Sequence, residues 1–118
     1  MNEPRVFITN YAGHTYDGAR QYGNLVALTK GYVSFGSLDR MKYNVFERIL
    51  KDTEREDWLL LSGVPIISAI AAMLWFTYHG KCKMLIWDRK KPDGPYRELI
   101  IDRDNYEMML NEIERDAA

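Results

Sequence analysis

Apolar and polar positions change period several times along the chain, and each change marks an element. Arg5-Val6-Phe7-Ile8-Thr9-Asn10 is an apolar, β-branched run and predicts a first strand. It enters a loop rich in turn formers, Tyr11 to Gly18, followed by a short helix around Ala19–Tyr22 that Gly23 can stop. Leu25-Val26-Ala27-Leu28 and Tyr32-Val33-Ser34 both offer a second strand across the turn at Lys30-Gly31. Of the two, Gly31–Phe35 is the preferred sheet member. Leu38, Met41, Val45, Phe46, Ile49 and Leu50 then recur at helical spacing behind Ser37, a suitable N-cap. The charged stretch Asp52 to Asp57 is a solvated connection.

Strand Trp58–Leu61, helix Pro65–Tyr78 and strand Lys83–Trp87 follow in quick succession, with His79-Gly80 closing the helix. The helix is apolar all round, which predicts a position inside an α/β domain. A turn over Arg89–Pro95 leads to a fifth strand, Tyr96–Ile101, antiparallel to the fourth. Asp104 and Glu107 are spaced as a capping box for a last helix running to about Arg115. Strands separated by helices predict a parallel sheet with right-handed crossovers. The expected fold is a single α/β domain over residues 1–118: a minimal Rossmann-like three-layer sandwich. Its mostly parallel sheet has about five strands and an antiparallel edge hairpin.

Composition narrows the class. With 118 residues, 47% of them hydrophobic, the chain can bury a core without staples and is not disordered. Sixteen basic residues against seventeen acidic ones argue against a dedicated nucleic-acid binder. No charge occurs from Trp58 to Tyr78, long enough to span a bilayer, but Ser62-Gly63-Val64-Pro65 breaks that run and no membrane segment is expected. Met1-Asn2-Glu3-Pro4-Arg5 is not a signal peptide, and the lone Cys82 forms no internal disulfide, so a cytoplasmic location is expected. Cys82 lies between two lysines that could activate it; an inert thiol at a strand start is the simpler expectation.

In such sheets ligands bind beyond the carboxyl ends of the strands. Three loops leave that edge, around Asn10–Gly18, Ser34–Ser37 and Ser62–Pro65, each with small or polar residues suited to an anion. The expected ligand-binding residues are Asn10, Ala12, Gly13, Ser34, Gly36, Ser37, Arg40, Ser62 and Gly63. His14 and Asp17 are the candidate acid/base pair, against a structural role in holding their own loop. Neither dinucleotide nor P-loop fingerprint is present: Ala19-Arg20 follows Gly18 where Lys-Ser/Thr would be needed. Tyr11, Tyr16 and Tyr43 could stack on a base or belong to core and rim. Asp39 suits a helix start, and His79 the end of one. Two distant histidines and one cysteine predict no metal site, and no resident cofactor is expected.

The run Val6 to Asp17, with Asn10-Tyr11-Ala12-Gly13-His14-Thr15-Tyr16-Asp17 after the strand, resembles small uncharacterised proteins of tailed bacteriophages. So do the Leu28-Thr29-Lys30-Gly31 turn and the strand end Leu59-Leu60-Leu61-Ser62-Gly63. The resemblance runs to about Trp87 and leaves the chain from Pro92 outside. It implies phage origin and host cytoplasm, and brings no activity. The layout is more distantly similar to nucleoside deoxyribosyltransferase-like and TIR-like domains, whose catalytic glutamate has no counterpart here. The leading expectation is a nucleotide- or nucleoside-phosphate-binding protein, in a phage setting one that sequesters or degrades a host nucleotide signal. The alternatives are a glycosidic- or phosphate-bond hydrolase on the same edge, and a host-protein interaction module with no small ligand. Homo-oligomerisation, as a dimer or larger, through the apolar helix Pro65–Tyr78 is compatible with all three.

Overall fold

A computed structural model describes residues 3–13, 15–88, 90 and 94–117. The elements are β1 (Arg5–Ile8), β2 (Asn24–Ala27), α1 (Leu38–Asp52), β3 (Trp58–Leu60), α2 (Pro65–His79), β4 (Lys81–Trp87), β5 (Tyr96–Asp102) and α3 (Arg103–Ala117). Two 3-10 segments, Asp17–Tyr22 and Phe35–Ser37, lie between them. The sheet order is β2-β1-β3-β4-β5; β1 to β4 are parallel, and β5 runs antiparallel to β4 from Trp87↔Tyr96 to Lys81↔Asp102. Strand order reverses between β1 and β3, the place where open α/β sheets leave a crevice.

Alternation along the strands sorts the core. Phe7, Leu59 and Met84 face α1 and α2, joined by Val45, Ile49, Ile67, Ala71 and Trp75. Val6, Ile8, Leu60 and Leu85 face the other way, onto Ala19 of the first 3-10 segment, Tyr16 and Tyr96. The architecture is α/β and consistent with a minimal Rossmann-like sandwich, its second helical layer reduced to a 3-10 segment. Asp57, buried below β3, ties the start of the sheet together: it accepts the Arg5 backbone N–H at 2.8 Å and the Arg5 guanidinium at 3.2 Å.

Four expectations are corrected. The second strand is Asn24–Ala27, not Gly31–Phe35. Gly23 (φ 148°) lets the chain pass so close to β1 that a Cβ there would lie 2.2 Å from the Pro4 carbonyl oxygen. Arg48 of α1 donates to the Ala27 and Leu28 carbonyls and ends the strand, and only the isolated bridge Tyr11↔Lys30 continues the pairing. Ser37 makes no side-chain cap; Ser34, three residues earlier, accepts the Gly36 N–H. Asp102 rather than Asp104 accepts the first free N–H of α3. Finally, α2 is apolar all round in sequence but buries one side only: Ile67, Ala71 and Trp75 are inside, while Met73 is 70% exposed.

Candidate functional site

Beyond Ile8 and Leu60 the paired strands β1 and β3 part, and side-chain hydroxyls replace the ladder. Thr9, wholly buried, donates its N–H to the Leu60 carbonyl at 3.0 Å. Its Oγ1 donates to the Ser62 carbonyl at 2.8 Å and accepts the Ser62 N–H at 2.9 Å. A threonine hydroxyl has one hydrogen, so the Ser68 Oγ at 2.9 Å, from the first turn of α2, must be a donor to it. Thr9 thereby fixes the loop after β3 and the start of α2 in one contact.

The next two residues build the rim. Asn10 is buried; its Nδ2 donates to the Gly31 carbonyl at 3.3 Å and its Oδ1 accepts from Thr29 Oγ1 at 2.8 Å, which holds the turn after β2. Gly63 (φ 82°) packs on that amide so tightly that a Cβ would sit 2.7 Å from Asn10. The Tyr16 phenol reaches 2.6 Å from Ser62 Oγ and accepts the Ala12 N–H at 3.3 Å. The first and third loops are therefore joined through one buried tyrosine.

Above this joint is a cavity of about 400 Å³ lined by Thr15, Tyr16, Leu60, Leu61, Ser62, Trp87 and Tyr96. Its floor is aliphatic and one wall is hydroxylic. The other wall is the Trp87–Tyr96 pair, edge to face with ring centres 5.4 Å apart. Burial, and after it the neighbouring Tyr16, push the Tyr96 phenol up from its ordinary value, so it stays protonated at neutral pH. The volume suits a small planar ligand held on an aromatic side with hydroxyls to fix its orientation.

The expected site residues divide between several places. Ser62 lines this cavity, Ala12 lies on its rim through Tyr16, and the left-handed Gly13 (φ 81°) is exposed beside it. Asn10 and Gly63 hold the rim from behind. Ser34, Ser37 and Arg40 line a separate depression of about 350 Å³ past the end of β2, with exposed Gly36 next to Ser34. Asp17 is exposed, paired with Arg20 at 3.2 Å, and is not among the residues that line the cavity. His14 lies outside the described residues. Tyr43 is exposed on α1 beneath Lys42, and Tyr11 rests its ring 5.2 Å from Tyr16. Asp39 pairs with Lys42 at 3.7 Å. His79 lies at the far end of α2, its Nε2 2.8 Å from Thr53 Oγ1. Among the described residues no three His, Cys, Asp or Glu side chains could hold a metal ion.

Residues 4–103 match the family described as phage Pam3 gp32-like protein. The chain belongs to this phage family. No curated protein and no solved structure matches it. The expected resemblance to phage proteins stopped near Trp87; the family match continues through β5 to the first residue of α3. Every residue lining the cavity thus lies inside the family region. Among the described residues no helix is long and apolar enough to cross a membrane. Sequence reasoning passed over Thr9, Trp87 and Tyr96. A tryptophan ending one strand and a tyrosine opening the next, on either side of a turn, was the available signal, because antiparallel pairing sets such residues face to face.

Proposed function

We propose that the chain is a phage binding protein for a nucleotide or nucleoside phosphate, taken up in the cavity between the Tyr16–Ser62 joint and the Trp87–Tyr96 wall. One observation carries this reading: an aromatic wall and a hydroxyl wall face each other beyond the carboxyl ends of parallel strands, at the reversal of strand order. A nucleobase gains from stacking on Trp87, and ribose hydroxyls can exchange hydrogen bonds with Tyr16, Ser62 and Thr15. α2 begins three residues after Ser62 without a side-chain cap, and Pro65 occupies its first turn. Its start therefore favours an anionic group at that loop. Binding rather than turnover is the reading put first, since Asp17 is not among the described residues that line the cavity. Sequestration of a host nucleotide signal, in the host cytoplasm, is the role that fits such a protein.

A thermal-shift screen tests it, with nucleosides, nucleoside monophosphates, cyclic dinucleotides, NAD and ADP-ribose as probes. A hit should raise the melting temperature, quench tryptophan fluorescence, and be recovered uncleaved. Thr15→Trp, at an exposed rim position, should abolish the shift while leaving the fold intact. If no probe shifts the wild type, or if hits survive Thr15→Trp and Trp87→Ala, the reading fails.

A further inference from the structure

α3 has no buried residue along its 15-residue length. Yet Tyr106, Met109, Leu110 and Ile113 recur at i, i+3, i+4 and i+7, a continuous apolar stripe on one side of it. The same chain holds an unfilled slot. On the α2 side of the sheet, β4 and β5 extend past α2 and leave a groove of about 370 Å³ floored by Met84 and Ile101 and walled by Ala72, Met73 and Phe76. Phe76 also borders a second cleft, of about 680 Å³, whose other lining residues, Tyr106 among them, come from the first turns of α3. A doubly wound sheet normally carries a helix there.

α3 cannot fill its own slot. Asp102 is the last strand residue and Arg103 the first helical one, whereas reversing a helix onto its sheet takes roughly 2–6 connecting residues. The Arg103 N–H bonds to the Gly80 carbonyl at 2.9 Å, and its guanidinium lies 5.6 Å from the Phe76 ring centre, which fixes the departure angle. The helix consequently projects. The radius of gyration is 15.3 Å, against about 13.5 Å for a compact domain of this length.

We propose that the occupant is a second copy of the chain, with the two α3 helices exchanged so that each lies in the partner's slot. A chain with one unplaced apolar helix and one vacant helix slot closes both in a two-fold pair, and an absent hinge loop favours exchange over self-packing. At roughly 200 Å² per large side chain, the exposed fractions of Met73, Ile101, Tyr106, Met109, Leu110 and Ile113 give about 650 Å² per copy. Complete burial of these fractions would remove up to about 1,300 Å² from the pair, at the lower end of the roughly 1,200–2,000 Å² of stable interfaces. Charge permits it: α3 carries Asp104, Glu107, Glu112, Glu114 and Asp116 beside Arg103 and Arg115, and the α2 stretch Pro65–Tyr78 that receives it has no charge to repel them.

The test uses the full chain in light scattering coupled to size exclusion. The wild type should elute as a dimer. Met109→Glu and Ile113→Glu, both at exposed positions, should weaken the dimer about 100-fold or more with an unchanged circular dichroism spectrum outside the helical contribution of α3. Mixing a Met73→Cys copy with a Met109→Cys or Ile113→Cys copy should give an intermolecular disulfide on mild oxidation, with buried Cys82 uninvolved. A monomeric wild type overturns the proposal. So does a dimer that is indifferent to both glutamates, or one that forms no cross-link between these positions.

Discussion

Thr9→Val replaces the hydroxyl that joins β1, the Ser62 loop and α2 with a methyl group of nearly the same shape. Packing is preserved, because Thr9 is wholly buried and the two side chains are isosteric. What is lost is the donor to the Ser62 carbonyl, the acceptor for the Ser62 N–H and the acceptor for Ser68 Oγ. Each such bond contributes about 1 kcal/mol net, and a buried group left unpaired adds about 1–3 kcal/mol. The Ser62 backbone is only half-buried and can recover part of this from water, which leaves a loss of about 2–4 kcal/mol. For a chain of this size that is a fall in melting temperature of roughly 10 °C. Ser68→Ala removes one of the three bonds and leaves Thr9 satisfied by Ser62, so it should cost about a third as much. Urea denaturation of both variants and their double mutant gives the coupling directly. If Thr9→Val shifts the melting temperature by no more than Ser68→Ala, the hydroxyl is not the joint and the loop is held by something else.

Three further outcomes follow from the same contacts. Gly63→Ala meets both a left-handed backbone and the Asn10 amide at 2.7 Å, so it should destabilise by about 2 kcal/mol more than Gly13→Ala, which has the same strained φ but open space around it; equal losses in chemical denaturation would contradict the packing. His79 is held below its ordinary value, chiefly by burial, with Asp57 opposing and Arg55 assisting. The unfolded chain therefore protonates first: the stability due to neutral His79 is complete above about pH 6.5 and lost as pH falls below it, and His79→Gln should flatten that slope. Burial pushes the Cys82 thiol up to about 12, so it should not react with a disulfide reagent at pH 8 until the protein unfolds, despite Lys81 and Lys83 beside it.

Strands β1, β3, β4 and β5 were legible because each is a short apolar run bounded by turn formers. β2 was not. Leu25–Leu28 and Tyr32–Ser34 are equally strand-like locally; the choice is made by Gly23, which brings Asn24–Ala27 against β1, and by Arg48, whose guanidinium closes on the Ala27 and Leu28 carbonyls from α1. Both act across 18 or more residues of chain and leave no local pattern. The all-apolar α2 misled in the other direction. Hydrophobicity all round predicted full burial, but what covers a helix depends on neighbours, and the element that would cover Met73 leaves β5 without a loop.

The candidate site was half legible for a similar reason. Ser62 and Ala12 follow apolar strands directly, so the carboxyl-edge rule finds them. Asn10 and Gly63 obey the same rule but turn inward onto each other, which only their mutual packing reveals. Trp87 ends parallel β4, where the same rule holds, but Tyr96 opens antiparallel β5, where the rule for parallel strands does not apply. Their adjacency follows from the register Trp87↔Tyr96.

β5 connects the two surfaces without coupling them. Tyr96, at its start, forms the cavity wall; Asp102, at its end, launches α3. Seven residues of strand separate them by about 20 Å. The cavity faces the side of the sheet opposite the slot, since Tyr96 packs with Leu60 and Leu85 while Ile101 turns toward α2. A rigid strand with its ends in different layers transmits little unless it shifts register, and the paired ladder with β4 over its whole length prevents that. Ligand binding and assembly should therefore be separable. Ile113→Glu should dissociate the dimer and leave the ligand-induced thermal shift intact, while Thr15→Trp should remove the shift and leave the dimer. Loss of both properties in either variant would mean that the cavity is completed by the second copy, and that the strand carries more than its geometry implies.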